Sequence, residues 1–498
     1  MGRVRKGHIP SLSKSRFMAG LQCHKRLYLE CFSRDLADPV GEGQQAIFDA
    51  GTEVGQLARG LYPGGALVTE DHLHHDDAVE STNSLLADPG LPAIFEAAFR
   101  HDDIKIRADV LARADDDSFD LIEFKSSTQV KEEHIPDVCV QVYVLNGCGI
   151  KVGRACIGHL NNEYVYQGGA CDLRQLFRVE DITEQVRRML PQIPTLLDAM
   201  RRPLHSAEPP DIKAGRQCST PYECSFFGHC HADQPEHSVD QLPRASEKLL
   251  RSLADAGIED IRCIPADFRG LNAIQERVRD CVVHDRAYLS ESLERHLERF
   301  EYPVHFLDFE TFNPALPIYV GTHPYQVIPF QWSDHILERS GQLRHEQFLH
   351  EGSDDPRESF IESLLRTLGT KGSIVVYTSF EATRVRELAA AFPAYSTGLL
   401  GLLDSRIVDL YQLIKTHCYY PNFHGSFSIK SVLPALVPEL GYDDLEINDG
   451  GMASIAFAEM RRPETPSERR RSLKDNLLKY CQRDTEAEVW IFQTLRGS

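Results

Sequence analysis

The chain has 498 residues, 42% of them hydrophobic and 26% charged. That is the composition of a soluble globular protein too long for one ordinary core, so two or three domains are expected. A net charge of -20 argues against a protein that coats nucleic acid through bulk positive charge. No apolar run approaches the ~18 residues needed to cross a bilayer, so no membrane association is expected.

In chain order, the N-terminus (Met1-Gly2-Arg3-Val4-Arg5-Lys6) is basic, but no secretory-type apolar stretch follows it, and cytoplasm is the expected compartment. The first thirty residues carry Arg3, Arg5, Lys6, Lys14, Arg16, Lys25 and Arg26 against Glu30 alone. This is either a local DNA contact or a solvated basic tail. Apolar positions at helical spacing over 44–60 predict a helix that ends at Gly60 and the Pro63-Gly64-Gly65 turn. Residues 91–100 read as a second short helix. Two strands, 104–113 and 119–125, flank the Ala114–Ser118 turn, and a helix over 136–146 and a strand over 154–160 follow. Helix, hairpin, helix and strand in that order make an α/β core.

Residues 202–240 are rich in Pro, Ser, His and Asp and carry clustered cysteines. A connector of short helices is expected over 244–300, broken at Ala256-Gly257-Ile258 and Ile264-Pro265. The third region has strands at 304–309, 330–334, 374–378 and 406–410, a helix over 381–392 and a long helix over 466–495. The domains read as 1–235, a helical connector 236–300, and 301–498.

Two constellations carry chemistry. In the hairpin, Glu123 and Lys125 lie two apart on one strand and therefore share a face, and antiparallel pairing can bring Asp109 beside them. Two carboxylates there suit Mg²⁺ or Mn²⁺, and the ammonium can stabilise a phosphate or position a water. Gln141 and Tyr143, in the next helix, are expected to line the same cleft. In the third region an apolar strand carries Asp308 and Glu310 on one face. On the last helix, Tyr480 and Asp484 are four apart and share a face. Together these suit a two-metal site with ions ~3.5–4 Å apart, the tyrosine orienting the attacking water.

The thirteen cysteines are an odd number without a secretory signal, which argues against a disulfide framework. Cys139, Cys156 and Cys281, flanked by apolar residues, read as buried small hydrophobes. Cys218, Cys224 and Cys230 form C-x5-C-x5-C, and Cys23 lies far upstream. Four thiolates can hold an iron–sulfur cluster or zinc. The wide spacing favours a cluster, while His229 and His231 keep zinc as the second choice. Such a cluster would clasp the two ends of the first domain.

Residues 11–235 resemble the RecB-type PD-(D/E)XK nucleases, closest to the subset with an iron–sulfur clasp. In that resemblance Cys23, Cys218, Cys224 and Cys230 match the 4Fe-4S ligands, and Asp109, Glu123 and Lys125 match the catalytic D…ExK. Gln141 with Tyr143 resembles Q-x-x-x-Y at altered spacing. The chain departs from the family where many relatives carry a metal-binding His, since Gly55 occupies that position. Glu53, or Glu96 in the later predicted helix, is an acid that can substitute or a plain surface carboxylate.

The third region resembles the DEDD exonucleases of RNase H-like fold, in the subclass ending in Y-x-x-x-D. Asp308 and Glu310 match its first motif, and Tyr480 and Asp484 its last. Glu381 stands where an Asp is usual, with Asp409 as the competing candidate. The two-part layout is similar, over nearly the whole chain, to a bacterial family in which an iron–sulfur RecB-like module precedes an RNase H-like exonuclease module. That resemblance implies nuclease chemistry without a settled biological role, and the first module's likeness to enzymes of DNA ends and single strands favours DNA hydrolysis, with RNA exonuclease activity or nucleic-acid binding without cleavage as alternatives. Helicase or repair and defence proteins are the expected protein partners.

Two weaker signals remain. LLRSLADAGIEDIRCIP reads as a helical linker or a degenerate helix-hairpin-helix. Arg461, Arg462, Arg469, Arg470 and Arg471 read as a strand-entry path or a solvated helix face. No Walker-type Gly-x-x-x-x-Gly-Lys is present, which argues against an intrinsic helicase motor.

Overall fold

The computed structural model describes residues 10–497, so Arg3, Arg5 and Lys6 of the basic stretch lie outside the described residues. The fold is mixed α/β, and no helix among the described residues is long and apolar enough to cross a membrane. Contacts divide the chain into two compact units. The first takes residues up to Asp233 together with Pro314–Gln326, and the second takes Gln234–Asn313 and Val327 onward.

The first unit is built on a seven-stranded sheet: β1 (Leu12–Ser13), β2 (Ala66–Leu67), β3 (Ala93–His101), β4 (Ile104–Arg113), β5 (Phe119–Lys125), β6 (Val152–Leu160) and β7 (Phe177–Asp181). The order is β2-β3-β4-β5-β6-β7, with β1 paired to β4. Strand β5 is antiparallel to β4 and parallel to β6. Side chains alternate across this sheet. Leu111, Leu121, Ala155 and Ile157 pack with Val138 and Val142 of the helix His134–Gly147. Phe95, Val110, Ile122 and Cys156 pack with Val54 and Ala58 of the helix Glu42–Ala58 and with Ala315. A sheet covered on both faces explains why its central strands are apolar nearly throughout.

Residues 91–100, expected to be helical, form β3 instead. Ala and Glu favour a helix in isolation, but Ala93–Phe99 is buried on nearly every side chain and pairs antiparallel with β4. Pairing and two-sided burial override that propensity. The helix of this region is His75–Leu86.

In the second unit a five-stranded sheet has the order β11-β10-β9-β12-β13. A short pair, β8 (Tyr288–Leu289) with β14 (Cys418–Tyr419), lies outside it. The main strands are β9 (Val304–Phe312), β10 (Ile328–Leu337), β11 (Leu343–Leu349), β12 (Ile374–Val376) and β13 (Ile407–Asp409). β9, β12 and β13 run parallel, and β10 and β11 complete an antiparallel meander. Leu307, Phe309 and Trp332 pack on Phe360, Ile361 and Leu364 of the helix Arg357–Leu368. On the opposite face Phe306 meets Phe492 of the helix Ser467–Gly497, and Phe330 stacks on Phe457 at 3.9 Å. Alternation along β9 turns Asp308 and Glu310 toward this second face.

The expected connector contributes to the second unit's own packing. Its helices are Glu247–Asp255, Ala273–Val283 and Leu293–Leu297. After Gly257 the chain makes only a 3₁₀ turn, Ile261–Cys263, so the second helix of a helix-hairpin-helix is not formed there. The backbone of Gln241 passes so close to Gly425 that a Cβ at 425 would stand 1.6 Å from the Gln241 carbonyl oxygen, and Gly425 has φ +75°. Only glycine meets both demands. Gly425→Ala is therefore expected to destabilise the second unit by roughly 2 kcal/mol or more. Gly441→Ala, where an added Cβ meets nothing within 4 Å, leaves the thermal midpoint within about a degree of wild type.

Candidate active sites

In the first unit the register sets Asp109 opposite Glu123, one step from the Val110–Ile122 pair. The Asp109 carboxylate accepts the Phe124 amide at 2.8 Å. Glu123 is almost wholly buried and saturated. One oxygen accepts Lys125 Nζ at 2.8 Å and Lys14 Nζ at 2.5 Å, and the other accepts Gln141 Nε2 at 2.9 Å. Lys125 also reaches Asp137, whose second oxygen has no hydrogen-bond partner and lies 3.6 Å from Lys14 Nζ.

The electrostatics separate the two central acids. Burial pushes Asp109 up to about 7, with the neighbouring Glu123 charge adding to the shift. Burial would raise Glu123 as well, but Lys125 and Lys14 outweigh it and hold that carboxyl well below its ordinary range. Lys14, at the start of the helix Lys14–Gln22, is expected from the sequence only as part of the basic stretch, and Asp137, one turn before Gln141, is not singled out at all. The i, i+4 spacing of Asp137 and Gln141 was the available signal.

Tyr143 does not join this group. Its hydroxyl bonds Asp102 at 3.1 Å, beside His101. Positions 141 and 143 are two apart on a helix and diverge by about 200°, so both cannot face one cleft. Glu96 lies in β3, where it bonds Arg59 at 3.1 Å, and it adds to the charge felt by Asp109. Glu53 is exposed, and an added Cβ at Gly55 would meet nothing within 4 Å.

All four expected cluster cysteines lie in the first unit, and none of them is in a disulfide. Cys230 feels Cys218 and Cys23, and Cys224 feels Cys218 and Cys230, while burial is the larger cause that raises Cys224 and Cys230. The segments that carry them are stitched together across nearly two hundred residues. Gln22 Nε2 donates to the Gln217 carbonyl at 2.7 Å, and the Gly228 amide donates to Asp38 at 2.9 Å. His231 is occupied locally: its ring stacks on Phe227, and its Nδ1 lies 2.7 Å from that residue's carbonyl.

The second unit brings together acids from three stretches: β9, the helix Phe380–Ala391 and the last helix. Asp308 and Glu310 on β9 and Cys481 on the last helix each present a ligand atom, all within 4.8 Å of one another. Asp484 accepts hydrogen bonds from Tyr442, at 2.6 Å, and from Tyr480. Glu381, in the first turn of the helix Phe380–Ala391, is buried with one oxygen unpartnered, as is Glu488. Burial, then the charges of Asp484, Glu310, Glu381 and Glu488, raise Asp308 well above its ordinary value. Burial, then the charges of Asp484, Glu381 and Asp449, raise Glu310 likewise.

Four participants, Cys481, Glu488, Tyr442 and Lys430, were not singled out from the sequence. Glu488 extends the Tyr480, Asp484 stripe by one more turn, a spacing readable in the chain. Tyr442 and Lys430 come from irregular or distant segments and left no local signal. Lys430 lies 5.7 Å above the Tyr442 ring and its charge partly offsets that of Glu310. Asp409 caps the helix Leu410–His417 by accepting the Gln412 amide at 2.8 Å, and it also adds to the charge on Glu381. Of the arginines at and just before the start of the last helix, Arg469 pairs with Glu459 at 2.9 Å, and Arg461 and Arg470 bond backbone carbonyls.

Unpartnered carboxylate oxygens, buried among like charges, form a donor set suited to hard divalent cations. Without such a cation, protons must offset the charge. Burial holds Asp484 at about 6 and Glu381 at about 8. The folded form then keeps protons that the unfolded chain has released, so stability falls as pH rises from about 4 to about 8. In EDTA, the second unit's thermal midpoint should therefore be lower at pH 8 than at pH 5, and Glu381→Gln should flatten the upper part of that decline. A midpoint that climbs over this range would contradict the burial described here.

A family model described as Domain of unknown function (DUF2779) matches residues 305–428, a stretch that includes Asp308, Glu310 and Glu381 and stops short of Tyr480 and Asp484. No curated protein matches. A solved structure described as "Crystal structure of SSO0001" is similar at 13% identity with a TM-score of 0.22, over 46% of this chain and 90% of that one.

Proposed function

We propose that the protein is a metal-dependent nuclease acting on DNA single strands or ends. In this reading the first unit is a RecB-like PD-(D/E)XK module, and the second is an RNase H-like 3′–5′ exonuclease of the DEDDy kind. The observation that carries the reading is the convergence of Asp308, Glu310, Glu381 and Asp484 in one cluster of the second unit, beside the hydroxyls of Tyr442 and Tyr480. Divalent Mg²⁺ or Mn²⁺ held there by the four acids would supply an acidified water and neutralise charge on the phosphate.

The chain's own residues set the rest. Tyr442 fixes the Asp484 carboxylate by donating to Oδ1. Tyr480 would orient a water against the phosphorus. Lys430 offsets part of the acidic charge that would repel a phosphate. In the first unit Asp109 and Glu123 would hold the metal, and Lys125 and Lys14 would steady the phosphate charge. Cys23, Cys218, Cys224 and Cys230 are proposed to hold a 4Fe-4S cluster, with zinc as the second choice, adding to the hydrogen bonds already joining residues 22–38 to 217–228. Helicase or repair and defence proteins are the proposed partners.

A specific observation favours a second reading for the first unit alone, namely end-sensing without cleavage. Lys14 Nζ occupies the Glu123 oxygen at 2.5 Å, where a metal would compete with it.

End-labelled single-stranded DNA in Mn²⁺ separates these readings, with matched RNA as the control for substrate. Asp308→Ala should slow 3′ shortening by roughly a hundredfold or more, the scale of losing one electrostatic stabiliser. Glu123→Ala should do the same for whatever cleavage the first unit performs, and no change there would favour end-sensing. If neither substitution alters cleavage, the nuclease reading fails. Saturating Mn²⁺, near a hundred times its dissociation constant, should stabilise the second unit by about 2.7 kcal/mol. The effect should be larger at pH 8 than at pH 5, and Asp308→Ala should largely remove it.

A further inference from the structure

Beside the acid pocket, the second unit has a cavity of about 820 Å³, within the ~300–1,000 Å³ range of ligand sites. It lies beyond the carboxyl ends of β12 and β13, the edge at which parallel sheets place ligands. Tyr377 follows β12 and stands four residues before Glu381. Tyr411 and Lys415 belong to the helix after β13, and Phe427 and Ser428 precede the helix Ile429–Leu436. The remaining wall comes from the expected connector, through Arg244 and the start of the helix Ala273–Val283.

The charge of this lining is one-sided. In a chain of net charge -20 no acidic residue lines the cavity, whereas Arg244 and Lys415 do. Its flat surfaces are aromatic. The Tyr411 ring stands 6.4 Å from that of Tyr377 and 6.2 Å from that of Phe427, edge-on to each. Lys415 Nζ lies 5.5 Å over the same ring. The Tyr377 hydroxyl is committed to the Phe427 carbonyl at 2.6 Å, which fixes that wall. Tyr411 is only half-buried and leaves ring surface for a ligand. A planar aromatic group next to two cations selects a ligand that is flat at one end and anionic at the other.

We propose that this cavity binds one nucleotide unit of a single strand, with its base against Tyr411 and its phosphate toward Lys415 and Arg244, and leads the strand to the acids that begin at Glu381. The strand's onward path rests on the nuclease reading of the second unit, while the chemistry of the ligand follows from the lining alone. A free nucleoside monophosphate has the same chemistry, so the test must distinguish the two sources.

Binding of a fluorescent oligothymidylate to the full chain in EDTA, followed by anisotropy across a salt series, provides that test, with thymidine monophosphate as a separate ligand. Lys415→Gln should weaken oligonucleotide binding about tenfold and reduce the slope of log affinity against log salt by about 0.7, the contribution of one phosphate contact on a single strand. Tyr411→Ala should weaken it by roughly 5- to 150-fold with the slope unchanged, as loss of one stacked base requires. Arg244 has φ +51° and is exposed, so Arg244→Asn keeps a residue suited to that backbone and serves as a second charge variant should either of the others fail to fold.

Wild-type affinity and slope in both charge variants would overturn the proposal. So would monophosphate binding that depends on Lys415 while oligonucleotide binding does not, since the cavity would then hold free nucleotide only. If these variants bind normally and Asp308→Ala still abolishes cleavage, the cavity proposal fails and the nuclease reading stands. If they lose binding and Asp308→Ala cleaves normally, the nuclease reading fails and the cavity proposal stands.

Discussion

Mutual repulsion among buried carboxylates is the constraint around which the second unit is organised. Asp308, Glu310, Glu381, Asp484 and Glu488 raise one another's proton affinity in a region from which water is largely withdrawn. Such a group would scatter on a flexible scaffold, because each acid gains by reaching solvent. Here each is fixed by an element that has other reasons to stay. Asp308 and Glu310 sit in a central strand whose alternate residues Leu307 and Phe309 are locked into the core on the far side. Asp484 and Glu488 sit on a helix anchored by Phe492 against Phe306. Glu381 opens a helix anchored by Val385 and Leu388.

The first unit solves a related problem with the opposite sign. There the acids are fewer, and two ammonium groups stand among them, so Glu123 is held ionised while Asp109, one strand away, is pushed up to about 7. The two units therefore arrive at different resting charge states: a neutralised ion-pair network in one, an acid cluster with little compensation in the other. Buried ion pairs of the first kind gain little net stability, because desolvation offsets the attraction. Gln141 and the Asp137 oxygen that lies 3.6 Å from Lys14 Nζ complete this network.

What could be read in the chain follows the range of the interactions involved. The hairpin over β4 and β5, the helix through Gln141 and the strand through Asp308 carry strong period-2 or helical patterns, and the structure places them where those patterns indicate. Strand β3 was misread because its alanines and glutamate carry helical preference, and only the neighbouring strand makes it extended. Tyr143 was misplaced by counting nearness along the sequence rather than around a helix. Lys14, Tyr442 and Lys430 reach their sites by long-range packing, over 109 residues in the case of Lys14 and Glu123, which no local pattern encodes. Glu488 was legible, since it repeats the four-residue step of Tyr480 and Asp484. The role of the connector was not, because its short helices look the same whether they hang free or form a wall.

The close passage of Gln241 over Gly425 bears on how this polypeptide can be divided. Sequence pattern invites a cut near residue 301, just ahead of β9. A fragment begun there would leave a groove beside Gly425 where backbone had been, with the partner of β14 gone and apolar surface newly wetted. Excision just after Asp233 would keep that seam closed, although it would leave Pro314–Gln326 without the neighbours against which Ala315 packs. The chain thus offers no single clean place for a protease, or an experimenter, to separate it into two self-sufficient halves.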